Sequence, residues 1–223
     1  MPRNIVTTIV TAATVRGLTD LATVQDDWGI SGTADDGFLS RAITRCSRAA
    51  EQFCNRVFAL ETVQDMISLR RDPWPGAIVE RPDLLQLTRW PIVTIASVTV
   101  DGTVLTEGAD FVTDQAAGQL QRLDANGNAR AWTGVTIVAI YTSGYNLPGA
   151  PANAAADPLP DDINDAVSRM VYTRYAERQR DPLIKNEFVD GVGRIEYLTP
   201  NTDGNLSADI ADLLENYRVP VVV

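Results

Sequence analysis

Hydrophobic positions recur at helical spacing near both ends of the chain and alternate through its middle. From Leu18 to Ile30, Leu21, Val24 and Trp28 follow Thr19, a residue type that caps helix N-termini, and the run stops before Ser31-Gly32. This predicts a short first helix. A longer one is predicted from Thr33 to about Val57, with Asp35 and Asp36 in the first turn, where the helix dipole favours negative charge. Its Leu39, Ala42, Ile43, Cys46, Ala49, Ala50, Phe53 and Val57 form one apolar stripe, the packing face of an amphipathic helix. Beside it Arg41, Arg45, Arg48 and Gln52 form a second stripe with few acids on the same face. A row of arginines is ordinarily a solvated face; the sharper reading is a subunit contact, because arginine is favoured at interfaces.

Between Leu60 and Tyr145 the period falls to two. TVQDMISLRR, LLQLTRWPI, TIASVTVDG, TVLTEG, DFVTD, AGQLQRL and GVTIVAIYTSGY read as short strands, and Asp101-Gly102 as a tight hairpin turn. Pro73, Pro75, Gly76 and Pro82 break the sheet with a loop carrying Trp74. The Pro- and Ala-rich stretch 146–159 reads as a linker. Asp161 and Asp162 open a third helix bearing Ile163, Ala166, Val167, Met170, Val171 and Tyr175, expected to end near Asp181-Pro182. DGVGR at 190–194 looks like a hairpin tip, and Ser207 a cap for a last short helix before the apolar tail VPVVV. The expected organisation is therefore an N-terminal arm at 1–17, a helical core from 18–58 and 160–223, and an antiparallel β module at 59–145, α+β in class. The arm is read as extended or as an edge strand, since Ile5 to Val15 holds four threonines and is too polar for a secretory core.

Charge narrows the function. Against 19 Lys+Arg stand 29 Asp+Glu, a formal net charge of -10, with no histidine. Six basic and six acidic residues lie up to Phe58, six and ten from Ala59 to Tyr145, and seven and thirteen thereafter, so the excess is in the sheet and the C-terminal third. Such a chain is not built to grip nucleic acid, which requires clustered Lys and Arg against phosphate. The missing imidazole removes the usual general base near neutral pH and the commonest transition-metal ligand. No serine sits in a G-x-S-x-G elbow. The sequence thus reads as non-enzymatic, without cofactor or metal, and without a membrane span.

Other candidate motifs resolve to ordinary structure. Asp124-Ala-Asn126-Gly-Asn128 opens like a calcium loop, but Ala129 stands where a glycine is needed and Val135 where a bidentate glutamate belongs. GVG at 191–193 is too short for a phosphate-cradling loop. The acidic pairs Asp26/Asp27, Asp35/Asp36 and Asp161/Asp162 lie in or at the start of predicted helices. Cys46 and Cys54, about 12 Å apart along one helix, cannot pair with each other, which suits synthesis in a reducing cytoplasm.

In order, the segments LTDLATVQDDWGI, DDGFLSRAITRCSRAAEQFCNRVF, WPIVTIASVTVDG, GADFVTDQAAGQLQRL, VAIYTSGYNLP, LPDDINDAVSRMVYTRYAERQ and LLENYRVP cover most of the chain from Leu18 to Pro220. This pattern resembles the head-tail connector, or adaptor, proteins of long-tailed double-stranded DNA bacteriophages and related gene-transfer particles. The resemblance implies a virion structural protein made in the host bacterial cytoplasm. It would form a homo-oligomeric ring, usually of twelve copies, beneath the portal protein, extending the channel used in genome packaging and DNA ejection. A stopper or tail protein would dock below. An acidic channel wall would let DNA pass without sticking. On this reading Arg41, Arg45 and Arg48 make the lateral subunit contact, and Leu213, Leu214, Tyr217, Arg218, Val219, Val221, Val222 and Val223 dock on the portal. The competing readings are a stopper or tail-completion protein, typically shorter and mostly β, and a carbohydrate- or ligand-binding module with Trp74, Trp90 and Trp132 as a stacking platform. Aromatic content of 7% argues against the latter.

Overall fold

The computed structural model describes residues 4–69, 82–179, 186–189, 193–196 and 206–220. Helices and antiparallel sheets make it α+β, in two compact units. Among the described residues the first unit comprises those of Met1–Val15, Ala59–Asn146 and Ala150–Pro158, and the second those of Arg16–Phe58, Leu147–Gly149 and Leu159–Val223.

The first unit begins with β1 (Asn4–Thr11), the edge strand of a five-stranded antiparallel sheet. Next to it is β2 (Glu61–Ser68), while β3 (Leu84–Gln86) belongs to a second sheet and β4 (Ile92–Val100) and β5 (Thr103–Leu105) return to the first. The second sheet also takes β6 (Phe111–Asp114), β7 (Gln119–Leu123) and the short β8 (Ala129–Arg130); β9 (Thr136–Ser143) lies between β2 and β4 in the first. Period-two alternation turns Val63 and Ile67 of β2 and Ile137, Ala139 and Tyr141 of β9 inward. They meet Leu85, Leu120, Phe111 and Trp132 in one buried cluster drawn from both sheets.

The Asp101-Gly102 turn forms as the sequence predicts. Both residues have positive φ, 49° and 84°, joining β4 to β5. Asp101 also accepts from the backbone N–H groups of Val135 and Thr136 at 2.9 Å, which ties the turn to the start of β9. Gly118, at φ 68°, has room for no side chain: a Cβ there would lie 2.8 Å from Trp90 Cβ.

The same alternation carries two acids inward. Glu61 and Asp65 face the core with Val63 and Ile67 and are essentially unexposed. Glu61 pairs with Arg89. Asp65 accepts from Thr7 Oγ1 at 2.7 Å, from the Thr88 backbone N–H and hydroxyl at 2.8 Å, and from the Tyr141 hydroxyl at 2.8 Å. A buried carboxylate is tolerated when its lone pairs are filled in this way. Thr7, from the threonine-rich arm, thus brings the edge strand into the network.

The segment 146–159 is folded on itself. Asn146 donates through Nδ2 to the carbonyls of Asn153 and Ala156 at 2.8 and 2.7 Å, and its Oδ1 accepts from the Asn153 N–H at 2.9 Å.

The second unit packs α1 (Leu21–Trp28), α2 (Asp36–Cys54), α3 (Asp161–Ala176) and α4 (Ala208–Glu215), with α3 in contact with the other three. The first helix is capped by Asp20, not Thr19. Asp20 Oδ1 accepts from the Thr23 N–H at 2.8 Å, whereas the Thr19 side chain is buried. Thr33 likewise sits in a turn ahead of α2, its carbonyl accepting from the Asp36 N–H. That helix ends earlier than Val57, because Asn55 takes the left-handed conformation at φ 49°. A 3-10 turn (Glu177–Gln179) follows α3, and beyond it β10 (Asn186–Val189) pairs antiparallel with β11 (Gly193–Glu196). The tip between them and the loop carrying Trp74 lie outside the described residues.

Candidate interaction surfaces

On α2 the apolar stripe faces inward: Leu39, Ala42, Ile43, Cys46, Ala50 and Cys54 are buried. That orientation turns Arg41, Arg45 and Arg48 outward, and all three are exposed. None makes an ion pair among the described residues.

Arg41 and Arg45 border an open depression of about 350 Å³ shared with Phe38, Ala42, Arg174, Glu177 and Arg178. Arg174 comes from the last turn of α3 and Arg178 from the 3-10 turn after it. Arg178 pairs with Asp35 and lies over the rings of Phe38 and Tyr175, 5.3 and 5.7 Å from their centroids. The Tyr175 hydroxyl donates to the other oxygen of Asp35 at 2.9 Å. The Arg178 and Tyr175 hydrogen bonds together hold the Asp35 carboxyl below the usual carboxylate range. Asp35 stands at the N-cap position of α2 without capping it, so its charge serves this cluster.

A second open depression, of about 410 Å³, is acidic. It is bordered by Thr23, Asp27, Trp28, Asp161, Asn164 and Asp165, where α1 meets the first turns of α3. Trp28 stacks on Tyr172 with centroids 4.1 Å apart and planes 6° from parallel. Its Nε1 donates to Ser168 Oγ at 2.8 Å, and Ser168 donates to Asp27 Oδ2 at 3.0 Å, fixing both ring and carboxylate. Asp165 pairs with Arg169 at 2.9 Å, while Asp161 is exposed and makes no ion pair among the described residues.

The C-terminal residues expected to dock elsewhere are partly engaged within their own unit. Leu214 is fully buried, because the apolar side of α4 packs on the helical core; it is not a docking surface in this conformation. Leu213, Tyr217 and Val219 are half-buried, and Arg218 is exposed beside the Phe53 ring, 5.1 Å from its centroid. Tyr217 meets Phe58 edge-on at 6.4 Å. Val221, Val222 and Val223 lie outside the described residues.

Of the aromatic platform, Trp132 is fully buried and its Nε1 donates to the Leu120 carbonyl at 3.1 Å, so it offers no face to a sugar. Asp124 spends its Oδ1 on the backbone N–H groups of Asn126 and Asn128, both at 2.9 Å, and forms a polar turn. No described helix is long and apolar enough to cross a membrane.

The sequence reading found the α2 arginines but missed Arg174, Arg178 and the acidic depression. The i, i+4 spacing of Arg174 and Arg178 near the end of a predicted helix was the available signal; that they lie beside Arg41 and Arg45 depends on how α2 packs on α3.

No family model matches the chain, and no curated protein matches it in sequence. Solved structures do match its fold. A chain in the neck of an empty gene transfer agent particle, computed with C6 symmetry, aligns at a TM-score of 0.54 and 17% identity over 98% of this chain and 97% of its own. A chain in the virion of a native gene transfer agent particle aligns at 0.53 and 19%, over 97% of each. The protein therefore has, across nearly its whole length, a fold found among neck and virion chains of a gene transfer agent particle.

Proposed function

We propose that this protein is a structural component of a particle neck, an adaptor that forms a ring beneath the portal, extends the DNA channel and docks the next neck or tail component. The observation that carries the reading is the fold likeness, which runs through both units to chains of a gene transfer agent neck and virion. The neck with that neighbouring chain was computed with C6 symmetry, which supports a ring for this chain, twelve copies being the number its sequence resemblance implies. Arg41, Arg45 and Arg48, exposed and without ion pairs among the described residues, fit a lateral contact between copies. The net charge of -10 suits a conduit that must not hold DNA. A helical unit of this size favours an adaptor over a stopper or tail-completion protein. The protein does no chemistry in this role, and its place is the virion after synthesis in the bacterial cytoplasm. Leu213, Tyr217, Arg218, Val219 and Val221 to Val223 are the segment we assign to portal docking.

Cryo-electron microscopy of particles carrying the tagged chain tests this directly. The expected result is label in a ring between portal and tail. Label elsewhere on the particle, or absent from it, would overturn the reading.

A further inference from the structure

The second unit carries two open depressions of opposite charge, one where α1 meets the start of α3 and one beside the end of α3. We infer that they are the two halves of one contact: the arginine depression of one copy binds the acidic depression of the next, which Trp28 helps to line. This rests on the ring reading above and deepens it by naming the surface that receives the arginines.

Charge and chemistry both fit. Arg41, Arg45 and Arg174 are without ion-pair partners among the described residues, as is Asp161 opposite. Carboxylates beside a fixed indole face are what a guanidinium prefers, since it can bond to the one and lie on the other. Trp28 is held in place for this by its stack on Tyr172 and its bond to Ser168. The arrangement already occurs within the unit, where Arg178 pairs with Asp35 over Phe38 and Tyr175.

Position along α3 decides the symmetry. Asp161 and Arg174 lie thirteen residues apart on this helix, about 20 Å along its axis and about 140° around it at 3.6 residues per turn. Patches carried at positions turned this far apart fit two neighbours better than one partner bound through both contacts. They can face two neighbours, one on each flank, which is the head-to-tail contact that closes rings. An angle somewhat short of straight opposition is what the wedge shape of a ring subunit requires.

The test is charge exchange, read as copies of the chain per purified particle. Arg45→Glu, Arg174→Glu and Asp161→Arg, each expressed alone, should lower incorporation by on the order of tenfold, with thermal melting close to wild type. Co-expression of Arg45→Glu with Asp161→Arg should restore it, because alternating the two chains repairs every contact around an even-numbered ring. Singles that fail without rescue, or an Asp161→Arg chain that incorporates normally, would overturn the pairing while leaving the neck assignment standing. Absence of the wild-type chain from particles would overturn the neck assignment and this contact with it.

Discussion

The backbone N–H of Val219 donates to the carbonyl of Cys54 at 2.9 Å, joining the C-terminal segment to the end of α2. Tyr217 packs edge-on against Phe58 and Arg218 lies over Phe53, so the segment up to Val219 helps to hold the second unit. Deleting residues 217–223 therefore confounds docking with folding. We expect that deletion to destabilise the protein by about 1–3 kcal/mol in urea titration, from one hydrogen bond and an aromatic contact. Deleting only 221–223 spares these contacts of Tyr217, Arg218 and Val219 and should lower binding to portal-containing heads. Unchanged head binding by the shorter deletion would remove the terminal valines from the docking assignment.

Asp65 sets a second expectation. Its carboxylate is the common acceptor for Thr7, Thr88 and Tyr141, from three parts of the first unit. Asp65→Ala leaves the buried Tyr141 hydroxyl and the part-buried Thr88 N–H without their acceptor, a loss of about 2–4 kcal/mol from several charge-assisted bonds. Tyr141→Phe removes one donor and should cost about 1–2 kcal/mol by the same measure. If Asp65→Ala melts like wild type, the network is not holding the edge strand.

How much of this was legible follows from what each feature depends on. The helix stripes, the strand alternation and the Asp101-Gly102 turn depend on neighbours in sequence, and all three appear where the pattern puts them. In the structure Asp65 shares the face of Val63 and Ile67, but its partners come from β1, β9 and the residues after β3, and no local rule supplies them. Caps moved by a few residues for the same reason: Asp20 outcompetes Thr19 once the chain before α1 is buried. The arginine stripe was legible because exposure follows from the apolar face of α2, whereas the acidic depression is assembled from α1 and α3 across more than a hundred residues.

The two cysteines should behave as inert packing residues. Both are buried, and burial pushes Cys46 up and Cys54 up to about 11. A thiol so far above the ordinary value near 8.5 carries little thiolate at neutral pH, so alkylation of the native protein at pH 7.5 should be on the order of a hundredfold slower than in urea. Mass spectrometry after timed iodoacetamide treatment reads this, and rapid native labelling of Cys54 would contradict the packing described at the end of α2.

Acid should loosen the second unit through Asp35. Its pKa is lowered, first by the Arg178 hydrogen bond and then by Tyr175, so the folded state holds the ionised form more firmly than the unfolded chain does. The sign follows from linkage: the stabilisation is fully present above the unfolded value of about 3.9 and is lost as pH falls through the lower folded value. Asp110, Asp124 and Asp209 shift in the same direction, so the wild-type urea midpoint should fall as pH drops below about 4. Asp35→Asn should lower the midpoint at pH 7 and flatten part of that fall, because a group that cannot ionise has no acid-dependent contribution to lose. Arg178→Gln should act the same way at pH 7 if the pair is the cause. An Asp35→Asn protein with the full wild-type acid dependence would place that dependence on the other three carboxylates and leave the link between α2 and the end of α3 to the packing of Phe38 on Tyr175.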